Sequence, residues 1–152
     1  MVYVSRFSNP ALRTGNYTAV RISIGTPKWP LGYDITGSIN ELIPFGLLHG
    51  FTHEQFVAKY RERLNRYGVN RIRNALKPFL NIGKPVVLLC YEDVRVEGQT
   101  CHRTTFAEWW QEKTGEVIEE LPDQSASKWT AIKVKEREPE NVQISMFGNG
   151  IW

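Results

Sequence analysis

Residues 85–90, PVVLLC, are an unbroken run of β-branched and leucine side chains after a proline, the pattern of a strand covered on both faces. VRISI (20–24) instead alternates apolar and polar positions, and Gly25 and Pro27 stop it, so a second strand is predicted there. Helical spacing governs THEQFVAKYRERLNRYG (52–68). Phe56, Tyr60, Leu64 and Tyr67 recur on one face, Thr52 and Gln55 have capping-box spacing, and Gly68 suits the C-terminal cap. A second helix, over about 70–80, places Ile72, Leu76 and Phe79 together. The intervening stretch 26–50 holds three prolines and four glycines and reads as a long ordered excursion with one short helix near 38–43.

TTFAEWWQEKTG (104–115) predicts a third helix, ended by Gly115, and EVIEEL (116–121) a further strand. Strand, helix and strand in succession imply a parallel crossover of right-handed sense. The expected fold class is therefore α/β: a compact three-layer domain with a mainly parallel sheet over 1–121, followed by a C-terminal extension over 122–152.

A chain of 152 residues fits one domain able to bury about two-thirds of its unfolded surface. Its net charge of +3 does not by itself argue for nucleic acid. No apolar run approaches the roughly 20 residues of a membrane span, and no basic start with an apolar core marks a signal peptide. The expectation is a cytoplasmic protein without a membrane partner. In that reducing setting a structural disulfide between its two cysteines, Cys90 and Cys101, would be unusual.

Both cysteines lie in CYEDVRVEGQTCHRTTF (90–106), where the layout gives them a position. Cys90 ends a central strand, and Cys101, His102 and Arg103 stand at the start of the following helix. Ligands of open parallel sheets collect at this carboxyl edge, beside helix N-termini that favour anions. Arg103 offers a forked donor to a phosphate or carboxylate, and the same field makes Cys101 a better nucleophile.

The candidate catalytic residues are thus Cys101 as nucleophile, His102 as acid or base, and Glu92, which is also placed to orient Arg103. Cys90, Arg103 and Thr104 are candidate ligand-binding residues. Zinc, through Cys90, Cys101, His102 and a carboxylate, is an alternative. The ten-residue gap is unlike the usual short-gap ligand pairs, and adjacent Cys101 and His102 would need an awkward loop. No metal is assigned and the cofactor is left open.

LLCYE (88–92), CHRTTFAEW (101–109), ISIGTPKW (22–29) and YVSRFSNPAL (3–12) together resemble the bacterial and phage family called domain of unknown function 488. The resemblance covers about 3–121. It implies a compact α/β fold with a site around Cys90, Glu92, Cys101, His102 and Arg103. Ile24 departs from the pattern, which often has a basic residue there, and the loop 93–100 is longer than usual.

TPKW (26–29) follows the predicted strand 20–24 toward the same edge, where Thr26, Lys28 and Trp29 are candidate ligand contacts: Lys28 for a phosphate, Trp29 for stacking on a base or for packing the loop. The run 59–77 carries seven Lys and Arg against one Glu, either a solvated helix face or a DNA-backbone surface. QISMF (143–147), after a polar segment, resembles the bacterial sliding-clamp-binding pentapeptide, which makes Gln143, Ile144, Met146 and Phe147 candidate partner-binding residues. Two classes of function follow. One is an enzyme acting on a nucleotide, nucleobase or other phosphorylated ligand in DNA metabolism, tethered to a sliding clamp. The other is a binding protein for a nucleotide, DNA or a metal.

Overall fold

The computed structural model describes residues 1–91 and 101–125. Five parallel strands form one sheet in the order β3-β2-β4-β1-β5. They are β1 (Val2–Arg6), β2 (Thr18–Arg21), β3 (Gly37–Ser38), β4 (Val86–Cys90) and β5 (Glu119–Glu120). The apolar run at 85–90 becomes the middle strand β4, and every one of its five residues is buried. Pleating sends its side chains alternately to two cores: Val86 and Leu88 to one, Val87 and Leu89 to the other.

Three helices cover the first face: α1 (His53–Tyr67), α2 (Val69–Leu80) and α3 (His102–Thr114). Their 3.6-residue periodicity delivers Tyr60, Leu64, Ile72, Leu76, Phe106 and Trp109 to that core. Burying an aliphatic side chain such as Leu64 contributes about 1.5–3 kcal/mol. Among the described residues the second face carries no long helix. A 3-10 turn at Pro10–Thr14 and the loop bearing Leu31, Tyr33 and Ile35 pack there on Phe7, Ala19, Val87 and Leu121. The domain is α/β as expected, with its third layer built of loop and turn.

Local chemistry sets the helix ends. In α1 the Thr52 hydroxyl accepts from Gln55 N (3.1 Å) while Gln55 Oε1 accepts from Thr52 N (2.9 Å), closing the capping box. Gly115 takes the left-handed conformation (φ 80°) that ends α3.

Four expectations shift. β2 occupies 18–21, not 20–24, because Arg21 curls back and donates to the carbonyls of Ser23 (2.5 Å) and Ile24 (2.9 Å), ending the strand. Residues 37–42 form the short β3 and a 3-10 turn at Asn40–Leu42 instead of one short helix. The last strand shrinks to Glu119–Glu120, since Glu116 turns away to accept from the Trp110 indole N–H (3.0 Å). β1 has no counterpart in the pattern reading, yet it lies between β4 and β5.

Beyond β5 the chain stays tied to β1: Arg6 Nε donates to Asp123 (2.7 Å) and Arg6 Nη2 to the Ser125 hydroxyl (2.6 Å). Among the described residues no helix is long and apolar enough to cross a membrane.

Candidate functional site

Cys90 is the last residue of β4, and Cys101 is the N-cap of α3. Ser, Thr, Asp or Asn at an N-cap would accept from the first helical amides; Cys101 makes no such bond, which leaves its sulfur for other contacts. The structure joins it to Cys90 as a disulfide, with the Cα atoms 7.2 Å apart. That corrects the expectation of two thiols. The strand end and helix start face each other across the carboxyl edge, so a short distance in space replaces a long one in sequence. Cys90 is sealed (1% exposed), whereas Cys101 (7%) reaches the surface of a cleft.

His102 opens α3 and is buried. Its Nε2 lies 2.6 Å from the Ile22 carbonyl oxygen, which can only accept, so Nε2 carries the proton and Nδ1 presents its lone pair. Nδ1 is 3.5 Å from Cys101 Sγ. The edge of the imidazole meets the Tyr60 ring (centroids 5.6 Å apart), and Tyr60 is itself fixed by donating its hydroxyl to Leu42 O (2.6 Å). Burial pushes the His102 pKa down to about 4; the nearby Arg103 charge adds to this, and the bond to Ile22 partly offsets it.

Arg103 is fully buried, and its fork is already occupied. Nε and Nη2 donate to the two Glu120 carboxylate oxygens (3.1 and 2.8 Å), while Nη1 donates to Cys90 Sγ (3.1 Å). The bidentate acceptor is thus a carboxylate of the chain itself. Pattern reading missed Glu120. The available signal was the certainty that an arginine at the base of a buried helix needs a carboxylate, with EVIEEL the nearest acidic strand.

The cleft measures about 180 Å³. Leu47, Leu48, Phe51 and Phe56 form its apolar wall; Thr52, His53 and Thr105 supply polar groups beside Cys101 and His102. Thr105, not Thr104, faces this cleft: Thr104 lines a separate groove with Val4 and Glu120 on another side of α3. Thr26, Lys28 and Trp29 are exposed and do not line the cleft. Trp29 instead meets Tyr91 edge-on (6.0 Å), and Tyr91 meets Phe7 (5.1 Å), so packing accounts for one side of the indole.

Three of the seven cations of the basic run pair with carboxylates of the chain. Arg61 pairs with Glu112, Arg71 with Glu41 and Arg73 with Glu116. Glu92 and the tail residues Gln143, Ile144, Met146 and Phe147 lie outside the described residues.

Among the described residues, one group suits a metal. The sulfurs of Cys90 and Cys101 and a ring nitrogen of His102 all lie within 4.8 Å of one another. Comparison of the chain with family models, with curated proteins and with solved structures returns no match.

Proposed function

We propose that this protein works by thiol–disulfide chemistry, with Cys101 as the sulfur that meets the ligand and Cys90 as the sulfur that resolves it. The observation that carries this reading is the joined Cys90–Cys101 pair, with only Cys101 on the cleft. A cytoplasmic location, expected from the sequence, strengthens it, because disulfides there are usually transient and catalytic or redox-sensing.

In the reduced protein the Cys101 thiolate attacks one sulfur of a disulfide ligand, and the departing half leaves as a thiolate that takes up a proton. Cys90 then gives up its proton, attacks Cys101 Sγ and expels the second half. Two electrons pass to the ligand, two thiols are released, and the protein is left with its internal disulfide. The N-terminus of α3 favours negative charge at Cys101, and Arg103 does the same for Cys90. His102 Nδ1, 3.5 Å from Cys101 Sγ, is placed to accept a hydrogen bond from the Cys101 thiol and so orient it.

A chromogenic aromatic disulfide tests this with the full chain. Wild type, reduced beforehand and freed of reductant, should release two equivalents of aromatic thiol and keep no adduct. Cys90→Ser should stop as a stable mixed disulfide on Cys101, and Cys101→Ser should react roughly tenfold or more slowly. Equal rates for the two variants, or stable adducts on both wild-type cysteines, would reject the assignment.

A nucleotide, nucleobase or other phosphorylated ligand in DNA metabolism is the second reading. The N-terminus of α3 beside the cleft supports it; Arg103, turned to Glu120, does not. A nucleotide bound at 100 times its dissociation constant should stabilise the protein by about 2.7 kcal/mol, and a panel with no thermal shift would discard this reading. The resemblance to domain of unknown function 488 is compatible with either.

The tail peptide 143–147 is the proposed sliding-clamp contact, which would bring the domain to DNA. Met146→Ala with Phe147→Ala should weaken clamp binding by more than roughly tenfold and leave the melting temperature unchanged. A collapse of the melting temperature would assign both residues to the core.

A further inference from the structure

We infer that the reduced protein holds a soft divalent transition metal, zinc by preference, on Cys90 Sγ, Cys101 Sγ and His102 Nδ1, with a fourth position open to the cleft. The inference rests on the preceding reading only in requiring that the cysteine pair be reducible.

The donor set is of the right kind and nearly in place. Two thiolates and an imidazole suit zinc, and three protein ligands leave one position for water or a ligand. Zinc–sulfur and zinc–nitrogen bonds of about 2.3 and 2.0–2.1 Å give tetrahedral sulfur–nitrogen edges of about 3.5 Å. The Cys101 Sγ to His102 Nδ1 distance is 3.5 Å. The two sulfurs must separate, and the backbone leaves them room. The Cα atoms are 7.2 Å apart, wider than the usual 4.4–6.8 Å of a disulfide.

The adjacency of Cys101 and His102 proves no obstacle. Cys101 is extended (φ −143°, ψ 150°) while His102 begins the helix, and that change of direction turns both side chains to the same point.

The surroundings are those of a ligating histidine and thiolate. The Nε2–H of His102 is held by the Ile22 carbonyl, which fixes the ring and aims Nδ1 at Cys101 Sγ. Arg103 Nη1 donates to Cys90 Sγ, and its charge is balanced by Glu120. A dication with two thiolates is neutral, and so is the Arg103–Glu120 pair, so the filled site adds no net charge to a buried region. The cleft then gives the fourth position access to water or to a small thiol or carboxylate.

Cobalt(II) added to the reduced, metal-free full chain is the test. One equivalent should bind with thiolate-to-cobalt charge-transfer absorption and the visible bands of a tetrahedral ion, and zinc should displace it. Protein oxidised beforehand with diamide should show neither. Cys101→Ser, which changes one atom, should lose the tight binding while keeping the wild-type circular dichroism; His102→Gln, if folded, should lose the tetrahedral bands. A reduced, folded wild type without a thiolate band, or a band retained by Cys101→Ser, would overturn the site. The aromatic-disulfide assay run in chelator reads thiol exchange independently. Exchange without cobalt binding overturns the metal site alone, and cobalt binding without exchange overturns only the exchange reading.

Discussion

Glu120→Ala should destabilise the protein by about 3 kcal/mol, at the lower end of the 3–5 kcal/mol typical of breaking a buried ion pair. Arg103 is fully buried, and two of its three described hydrogen bonds end on this one carboxylate. Removing the carboxylate leaves a guanidinium out of water with only the Cys90 sulfur as described partner. The lower end applies because the Glu120 side chain keeps 37% exposure, so water can reach part of the vacated space.

The same asymmetry predicts that Arg103→Met is milder. It removes the buried charge, keeps an apolar stem, and leaves a carboxylate already in touch with solvent. Combining Arg103→Met with Glu120→Ala should recover much of the loss. Urea unfolding of the three variants measures this directly. A Glu120→Ala cost below that of Arg103→Met would show that the buried charge does not dominate.

Acid should weaken the protein between pH 6.5 and about 4 through His102 alone, by about 3 kcal/mol over the whole window. Burial, reinforced by the Arg103 charge, depresses the folded-state pKa to about 4 against the bond to Ile22, while the unfolded chain titrates near 6.5. Between those values the unfolded state binds a proton that the folded state refuses. Stability is therefore complete above pH 6.5 and falls as the pH drops toward 4.

Asp123 acts in a lower window. Burial alone would raise its carboxyl, but hydrogen bonds from Arg6 and Ser125 outweigh that and hold it below its ordinary value. Its contribution is lost only below about pH 4. Unfolding of metal-free protein at pH 7, 5.5 and 4.5 should show the histidine slope, and folded His102→Gln should be nearly flat there. An identical slope in that variant would move the effect to other groups.

The part of this protein that its sequence determines is local. The apolar run 85–90 is a strand with both faces covered, Thr52 and Gln55 do close a capping box, and Gly115 ends α3, because each depends on neighbours within a few residues. The placement of Cys90 at a strand end and of Cys101 and His102 at a helix start was legible for the same reason.

Partner choice was not. Arg103 chose Glu120, seventeen residues along the chain, and His102 chose a carbonyl eighty residues back. Those choices depend on a sheet order that inserts β1 between β4 and β5, and β1 is a five-residue strand with no turn signal before it. The face of α3 that meets the cleft, Thr105 and not Thr104, was likewise decided only when α1 and the loop before it packed against it. Periodicity states which side of an element is buried; the fold alone states what it is buried against.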